Sequence, residues 1–571
     1  MSTFQNQNGV EARLCRALNS AIQKRDASEL QSLVLLEPPF PPDYQELIGA
    51  LQKNYPANDS NSEEKLVKLV KWVVTETAES EDEQGRPVQS WSAMVTFLVR
   101  WMTFLRDMDP NDLLRLYQLL SDLVQQAISA LQHPVKGIMM LPTIMNYAKV
   151  FARVAVGLDR QPWLIEHLVA NSNTEDGTRE SLPEKAANTV RQAFIICLND
   201  RNTVPGGIRD GKPDGKKIGI YKMANLCLKI LFQADKLESC STIFKNIMNS
   251  SPPLHIYPAA ERVTYLYYLG RYLFAYTEFY AAQSALQKAY EDSPSGPHFV
   301  GQRRLILVYL IASNIILGRL PNEKIYDFPE AIGFREAFTP ICQAIRKGDL
   351  EAFRRITNLD RSHPSADFLC RYKTFYQFGN YCEPLVWRSL LRKVFLLSGA
   401  QGGSAQSAAV LDLNVLLHVF QYLENRAKIK NPAMAAQDLG PGRRNFGHIY
   451  QDHASTTKST YIDPDFVGME GIQPYDHVIS QMEIIAICGS LITQGLLNGY
   501  ISPKSAKLAI SGARRPGGPL KHGFPLPWHN VVLKNQGEEK KDPEVLGWKR
   551  EGGTGGQGRV VRLAGARAAG S

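Results

Sequence analysis

The segment GGIRDGKP, residues 206–213, comes close to the phosphate-binding loop of nucleotide-hydrolysing proteins. In that loop the pattern G-x-x-x-x-G-K-[ST] ends in a hydroxyl residue that binds Mg²⁺, and a helix starts at this point. Here Pro213 stands in the hydroxyl position, and a proline there also blocks the start of the helix. The segment therefore predicts no nucleotide site.

A second phosphate-binding pattern, G-x-G-x-x-G, occurs at Gly553, Gly555 and Gly558. A dinucleotide loop needs a preceding strand, a following helix and an acidic residue about 20 positions further on, but the chain ends 13 residues later. His448 and His453 could share an ion with Asp452, although an exposed polar loop is the favoured interpretation. The motifs H-E-x-x-H, H-x-H and G-x-S-x-G are absent. We predict no catalytic residue, no metal and no cofactor.

The eight cysteines lie far apart and form no C-x-x-C pair, so metal-ligand spacing is absent. Most of them occur in apolar helical contexts such as AFIICL and AICGSL. In such contexts a free cysteine behaves as a small buried hydrophobe. The sequence predicts reduced core thiols.

Positive charge is concentrated near the C-terminal third of the chain. The net charge is +9, and the tail from Ala513 onward has eleven cations against five acids. Clustered Lys and Arg are typical of phosphate binding, whereas a disordered tail can also be basic simply to stay solvated. The cations predicted to contact nucleic acid are Arg426, Lys428, Lys430, Arg443, Arg444, Lys504, Lys507, Arg514, Arg515 and Lys521.

The predicted helix between these basic segments, Ser480 to Asn498, contains no Lys or Arg. Proteins that read base sequence place Arg, Asn or Gln against base edges and cations against the neighbouring phosphates. We therefore expect any contact with nucleic acid to run through phosphates, with little sequence preference.

Periods of three to four residues predict helices along most of the chain, as in residues 112–131, where leucines line one broad stripe. Residues 261–294 fit the tetratricopeptide pattern of two antiparallel helices, and residues 338–358 predict a second pair hinged at Gly348. Such pairs stack into a solenoid because they cannot bury their apolar faces alone. The predicted fold class is all-α, with a tetratricopeptide-like helical solenoid.

The solenoid is predicted to end in a winged helix. Ser480 and Glu483 form a capping-box pattern, Gly495 is a helix stop, and residues 507–510 alternate as in a half-buried strand. We expect four regions: an N-terminal helical region (1–190), helical repeats (191–382), the winged helix (383–512) with a polar insert at about 425–475, and a Gly/Pro-rich basic tail (513–571) that is disordered.

A helical solenoid that ends in one winged helix resembles the PCI family, named for the proteasome lid, the signalosome and translation initiation factor. Four strings look like the PCI subunits of two related groups, the signalosome-associated subunit twelve and the PCI subunit of the nuclear-pore transcription–export complex. The strings are KKIGIYKMANLCLKILF (216–232), RVTYLYYLGRYLF (262–274), RRLILVYLIASNIILGRLP (303–321) and LLNGYISPKSAKLAIS (496–511). The similarity covers roughly residues 190–528, and nothing carries over to the polar insert or the glycine-rich tail.

The resemblance implies a non-enzymatic scaffold that pairs through its winged helix with a larger PCI protein and is stabilised by a small acidic protein. The apolar residues expected at the paired surface are Tyr500, Ile501, Leu508 and Ile510, next to a backbone edge at residues 504–510 that could accept a partner strand. Lys216 and Lys217 are expected to face the acidic partner.

Two functions stay open at this point. One is a scaffold that binds RNA or DNA in transcription-coupled mRNA processing or export; the other is a purely protein-binding subunit of a signalosome-type complex. The first 20 residues resemble no signal or transit peptide, and no stretch reaches the roughly 18 uncharged apolar residues of a membrane span. We expect a protein of the nucleus and cytoplasm without a membrane partner.

Overall fold

The computed structural model describes residues 9–59, 61–78, 80–81, 87–161, 163–164, 181–357, 363–400, 409–427, 464–466, 468–472, 478–536 and 548. The chain divides into two compact units: residues 1–272 with 545–571, and residues 273–544. Each unit is described by itself. The domain boundaries expected at residues 190, 382 and 512 stay predictions.

The first unit is built from helices, and in its middle part each helix packs against the next one in the chain. The helices are α1 (Val10–Gln23), α2 (Ala27–Leu33), α3 (Pro42–Asn54), α4 (Ser62–Val73), α5 (Ser92–Asp107), α6 (Leu113–Leu131), α7 (Leu141–Asp159), α8 (Leu182–Leu198), α9 (Ile220–Gln233), α10 (Cys240–Ser250) and α11 (Ala259–Ala275), within which the first unit ends. From α5 to α9 each helix packs on the next. This is the stacking that a helical solenoid requires.

Helix α6 shows how the sequence sets this packing. The Asp112 side chain caps its first turn by accepting a hydrogen bond from the Arg115 N–H at 3.0 Å. Leu120, Leu123 and Ala127 are buried on one face, as the period of three to four residues predicts. The helical stripe predicted for residues 112–131 is confirmed.

The segment that comes close to a phosphate-binding loop is a hairpin. It forms strands β3 (Ile208–Arg209) and β4 (Lys212–Pro213), while β1 (Ser80–Glu81) and β2 (Pro87–Val88) form a similar pair. The turn residues Asp210 and Gly211 both have positive φ, 50° and 72°. An Asp-Gly turn with two positive φ values is the preferred two-residue hairpin turn. These residues therefore form a hairpin and not a phosphate-binding loop that leads into a helix.

The second unit continues the helical repeats and ends in a small sheet. Its helices are α12 (Phe279–Asp292), α13 (Val300–Ile316), α14 (Phe334–Lys347), α15 (Leu350–Thr357), α16 (Ala366–Arg371), α17 (Phe375–Ser398), α18 (Leu413–Ala427), α19 (Gln481–Thr493), α20 (Gly518–His522) and α21 (Pro527–Gln536). Its strands are β5 (Ala409–Asp412), β6 (Gly499–Ser502) and β7 (Lys507–Ile510).

The helices of both predicted pairs form, the first two as α11 and α12 and the second two as α14 and α15, and α14 packs on α15. Gly348, the predicted hinge, is left-handed with φ of 65°. A Cβ at this position would meet the backbone of Leu390 on α17 at 2.5 Å. Only glycine fits both the dihedral angle and the close approach. Gly348 therefore also determines how closely α14 and α15 pack against α17.

Helix α13 and the turn before it, Pro297–Ile316, form the one described helix that is long and apolar enough to cross a membrane; 56% of it is buried inside the protein. The Arg303 guanidinium in its first turns lies 2.8 Å from the Glu330 carboxylate. The helix also packs on α12 and α17. These contacts are those of a core helix.

The chain beyond the winged helix is ordered for longer than the sequence predicts. Residues 513–536, here called the strap, contain α20 and α21 instead of disordered chain. The Arg388 guanidinium on α17 donates to the carbonyl oxygens of Phe524 (2.8 Å) and Pro525 (2.8 and 3.2 Å). Arg319 stacks over the Trp528 ring with 4.5 Å to the centroid. The disorder predicted for the tail is therefore wrong for residues 513–536, because they pack on α17 and on the segment after α13.

All eight cysteines are free thiols; seven are buried and Cys370 is exposed. Burial raises the pKa of the Cys227 thiol and of the Cys488 thiol to about 12. A thiol with so high a pKa is protonated and unreactive at neutral pH. The prediction of reduced core thiols is confirmed for the seven buried residues.

Candidate interaction surface of the winged helix

The winged helix of the second unit contains a three-stranded antiparallel sheet in the order β5-β7-β6. Leu508 on the central strand lies opposite Leu411 on β5 and Ile501 on β6. Of these strands, the sequence pattern predicts the one at residues 507–510. The structure adds β5 to the sheet and starts α18 at Leu413.

Helix α19 precedes the wing and forms as predicted. The Ser480 Oγ accepts from the Glu483 N–H at 3.4 Å, and the Glu483 carboxylate accepts from the Ser480 N–H at 2.7 Å, which completes the capping box. Ile484, Cys488 and Leu491 are buried. The helix ends before Gly495, which has φ of 73°, as the predicted stop requires.

The central position of β7 corrects one part of the predicted partner surface. Leu508 is fully buried and Ile510 is 4% exposed, so neither side chain can reach another protein while the sheet is intact. The backbone edge predicted at residues 504–510 is also wrong for β7, because that strand is paired on both sides. Both residues stabilise the sheet from within.

The free edge of this sheet is β6. Among the described strands β6 pairs only with β7, whereas the outer side of β5 carries a bridge between Val410 and Ala400. Tyr500 on β6 is 66% exposed, and Ile501 is half-buried. An unpaired edge strand beside an exposed aromatic side chain is suited to strand pairing with a partner.

The predicted nucleic-acid residues fall into two groups at opposite ends of β7. Lys504, at the wing tip Pro503–Ser505, precedes the strand, and Lys507 is its first residue; both are exposed. Arg514, Arg515 and Lys521 follow it, and they are exposed as well. A four-residue strand is about 13 Å long. The sequence predicts one cluster of cations, but the structure describes two patches.

The second patch is held by hydrogen bonds between the strap and the start of β6. The Asn498 N–H donates to the Gly523 carbonyl and its side-chain amide donates to the His522 carbonyl, both at 2.8 Å. The His522 ring lies 2.9 Å from the Pro516 carbonyl oxygen. These contacts fix the turn that carries Arg514 and Arg515. No ion pair within the described residues involves either arginine.

The polar insert contributes little to the described surface. Arg426 lies in α18, and Lys428, Lys430, Arg443 and Arg444 lie outside the described residues. His448, Asp452 and His453, as well as the glycine pattern at 553–558, also lie outside them. The predictions for these residues stay predictions.

The predicted site for an acidic partner lies in the first unit, and the structure contradicts it for one of its two lysines. Lys216 is 4% exposed, and its ammonium donates to the Gln132 carbonyl oxygen at 3.2 Å. Burial lowers the pKa of Lys216. Lys216 is therefore a structural residue and not a docking charge, because the turn Gly215–Gly219 directs it inward. Lys217 is half-buried, and its ammonium donates to the Leu198 carbonyl oxygen at 3.2 Å.

The second unit contains another cluster of cations, and Lys521 is its one member that the sequence predicts as a binding residue. A groove of about 880 Å³ runs between the end of α14, one face of α17 and the strap. We call it the basic groove. Its charged lining residues are Arg346, Lys347, Arg388, Arg392, Lys393 and Lys521. Among the described residues that line the groove there is no acid.

The chain is similar in sequence to proteins that are named for a PCI domain. No protein-family model matches the chain. A PCI domain-containing protein of Schizosaccharomyces pombe is 25% identical over 393 residues, which are 68% of this chain and 78% of that protein.

Two further relatives match shorter segments. A CSN12 homologue of Mycosarcoma maydis is 30% identical over 193 residues, 33% of this chain and 40% of that protein. PCI domain-containing protein 2 of Danio rerio is 31% identical over 172 residues, 29% of this chain and 38% of that protein. The resemblance to PCI-domain proteins, including homologues of signalosome subunit twelve, is thereby confirmed. The chain aligns with less than half of each of these two relatives.

Proposed function

We propose that this protein is a non-enzymatic PCI scaffold subunit whose winged helix pairs with a larger PCI protein and binds RNA or DNA without strong sequence preference. The observation that carries the proposal is the free edge of β6 with the exposed Tyr500, flanked by exposed cations at both ends of β7. The proposed setting is transcription-coupled mRNA processing or export, in the nucleus and cytoplasm. A small acidic protein is a further proposed partner.

A purely protein-binding role in a signalosome-type complex is the second candidate. The relatives that are CSN12 homologues favour it. It differs from the first candidate in one measurable respect, since it needs no contact between the arginine patch and nucleic acid.

Replacement of Tyr500 by Asp is expected to prevent pairing with the larger PCI protein. A carboxylate on the free edge removes apolar contact area and adds a charge that pairing would desolvate. Affinity purification from the native cell, with the co-purifying subunits identified by mass spectrometry, measures the loss. Tyr376→Asp is the matched control, because Tyr376 on α17 is 58% exposed and lies away from the sheet. Equal recovery of the PCI partner with both variants contradicts the proposed edge.

Replacement of Arg514 and Arg515 by Ala is expected to weaken binding to all RNA and DNA sequences alike. Each phosphate contact contributes about 0.7 to 0.9 to the slope of log affinity against log salt, so the slope should fall by about two. Gel-shift titrations at several salt concentrations, with the PCI partner present, measure it.

The matched control for the arginine pair is Arg346→Ala with Lys347→Ala, two adjacent exposed cations outside the winged helix. An unchanged slope in the Arg514/Arg515 variant excludes these arginines. If the wild type with its partner binds no RNA or DNA at any of the salt concentrations, the result supports the signalosome-type candidate.

A further inference from the structure

Trp548 in the C-terminal tail is docked on the helices of the first unit. Its carbonyl oxygen lies 2.9 Å from the His255 Nδ1 and accepts a hydrogen bond from the His255 backbone N–H at 3.4 Å. The Arg262 guanidinium lies over the indole ring, with 5.5 Å between Cζ and the ring centroid, which is the distance of a cation–π contact. All three residues belong to the first unit. The indole is half-buried, although Trp548 follows His255 by 293 positions.

The turn that presents His255 is rigid. The segment SPPLHIYP, residues 251–258, contains three prolines, and each proline fixes one φ angle of the backbone. Leu254 is fully buried and Tyr257 is 1% exposed, so the turn is anchored on both sides of His255, which is itself exposed. A binding group on so constrained a turn loses little conformational freedom when a ligand binds.

Arg262, in the first turn of α11, is held in place by the same turn. Its guanidinium donates to the carbonyl oxygens of His255 at 3.3 Å and Tyr257 at 2.8 Å. These bonds fix the position of the cation relative to the imidazole before a ring is placed over it. Among aromatic side chains the indole gives the strongest cation–π contact. The site therefore suits a tryptophan whose own carbonyl group is free to accept a hydrogen bond.

The tail carries a ligand of this chemistry. Within residues 537–571, Trp548 is the residue that the structure describes. The contacts given above use its ring and its carbonyl group, and an aromatic anchor of this kind commonly supplies most of the affinity of a short peptide segment. The chain leaves the first unit after Tyr272 and returns to it at Val545. The protein thus supplies its own segment to the site.

We propose that His255 and Arg262 form a tryptophan-binding site, that Trp548 of the same chain occupies it, and that the docked tail excludes a tryptophan-bearing peptide from outside. The site lies in the first unit and needs neither pairing of the winged helix nor nucleic acid, so it goes beyond the proposed function. Docking also attaches the basic tail to the helical repeats directly before its cations Lys549 and Arg550.

The first test uses the full-length protein and a fluorescein-labelled peptide with the tail sequence EVLGWKREG, residues 544–552. Fluorescence anisotropy measures its affinity. Trp548→Ala vacates the site and is expected to bind the peptide about tenfold more tightly than the wild type does, because a ligand tethered in the same chain competes at an effective concentration of about a millimolar. Trp163→Ala is the matched control, since Trp163 in the first unit is 71% exposed, and should bind the peptide as the wild type does.

The second test changes the receptor residues in the Trp548→Ala protein. Arg262→Ala and His255→Ala are each expected to weaken peptide binding about threefold to tenfold, through loss of the cation–π contact and of the imidazole contact with the carbonyl oxygen. Arg13→Ala, an exposed arginine on α1, is the matched control and should leave the affinity unchanged. A peptide with alanine in place of the tryptophan should not bind measurably.

These measurements can also contradict the site. Equal peptide affinity of the wild type and the Trp548→Ala protein overturns the proposal, as does unchanged affinity in both receptor variants. Circular dichroism shows which variants are folded. The side chain of His255 is exposed, so His255→Ala remains decisive if loss of the two Arg262 hydrogen bonds unfolds the turn.

Photo-crosslinking identifies the chain that occupies the site. With p-benzoylphenylalanine in place of Trp548, illumination should join position 548 to the tryptic peptide of residues 246–262, which contains both receptor residues. The product should run as a single chain on a denaturing gel. A product of two joined chains means that a second copy supplies the tryptophan and overturns the assignment to the same chain. Crosslinks confined to other peptides overturn the site itself.

Discussion

Leu508→Asp is expected to unfold the winged helix and lower its free energy of unfolding by about 3–5 kcal/mol. Leu508 is fully buried at the centre of the sheet, opposite Leu411 and Ile501. Truncating a buried leucine costs about 2–5 kcal/mol, and a carboxylate without a partner adds a desolvation penalty. Urea unfolding followed by circular dichroism measures the change, and recovery of the proposed PCI partner should fall with it.

Two controls make this result specific. Leu508→Met conserves volume and should cost less than about 1.5 kcal/mol. Tyr500→Asp, on the exposed side of β6, should leave the unfolding curve unchanged while it removes the partner. A Leu508→Asp variant with wild-type stability contradicts the central position of β7.

Arg388→Met is expected to release the strap from α17. The guanidinium donates three hydrogen bonds to the carbonyl oxygens of Phe524 and Pro525. Hydrogen bonds to a charged group contribute about 1.5–3 kcal/mol, and their loss leaves these carbonyl oxygens without their donor. A local loss of about 2–3 kcal/mol raises the population of the released strap roughly 30- to 150-fold.

Limited proteolysis with trypsin measures this release, because Arg514 and Lys521 lie in the strap, whereas the bond after Arg515 precedes Pro516 and resists trypsin. Cleavage at these sites should accelerate by the same factor when opening is fast relative to cleavage. Arg392→Met is the matched control, since Arg392 lies one turn further along α17 and is exposed. Equal cleavage rates in both variants contradict the role of Arg388 as the anchor of the strap.

The sequence predicts those features that depend on local chemistry. The capping box of Ser480 and Glu483 is a contact between residues three positions apart, and it forms as expected. Gly348 and Gly495 are left-handed because helix ends commonly require such a residue. The helices of the repeated pairs likewise follow from a period that a window of about 11–18 residues reveals.

Features that depend on contacts between residues far apart in the chain could not be predicted from the sequence. Strand β5 is four residues long, and its pairing partner β7 lies about a hundred positions later, so no local pattern distinguishes it from the start of α18. The burial of Lys216 depends on the Gln132 carbonyl oxygen, 84 positions earlier. In the strap, frequent glycine and proline predict disorder, while its order comes from Arg388, more than a hundred positions earlier.

In the candidate site, too, local features could be predicted and features that depend on distant contacts could not. The individual cations of the wing are visible in the sequence, but their separation into two patches follows from the direction of β7. The basic groove needs α14, α17 and the strap together, and the only sequence trace of it is the pair of basic dipeptides at 346–347 and 392–393.

The order β5-β7-β6 also determines when the winged helix can be completed during synthesis. Ala409 pairs with Ile510, and ribosomes add roughly 5–20 residues per second. Strand β5 therefore leaves the ribosome about 5–20 seconds before its partner strand can reach it. Ala409 and Leu411 are buried in the finished sheet. During that interval strand β7 is not yet present to pair with them. The nascent protein therefore exposes an apolar strand to chaperones before it can present a surface to any partner.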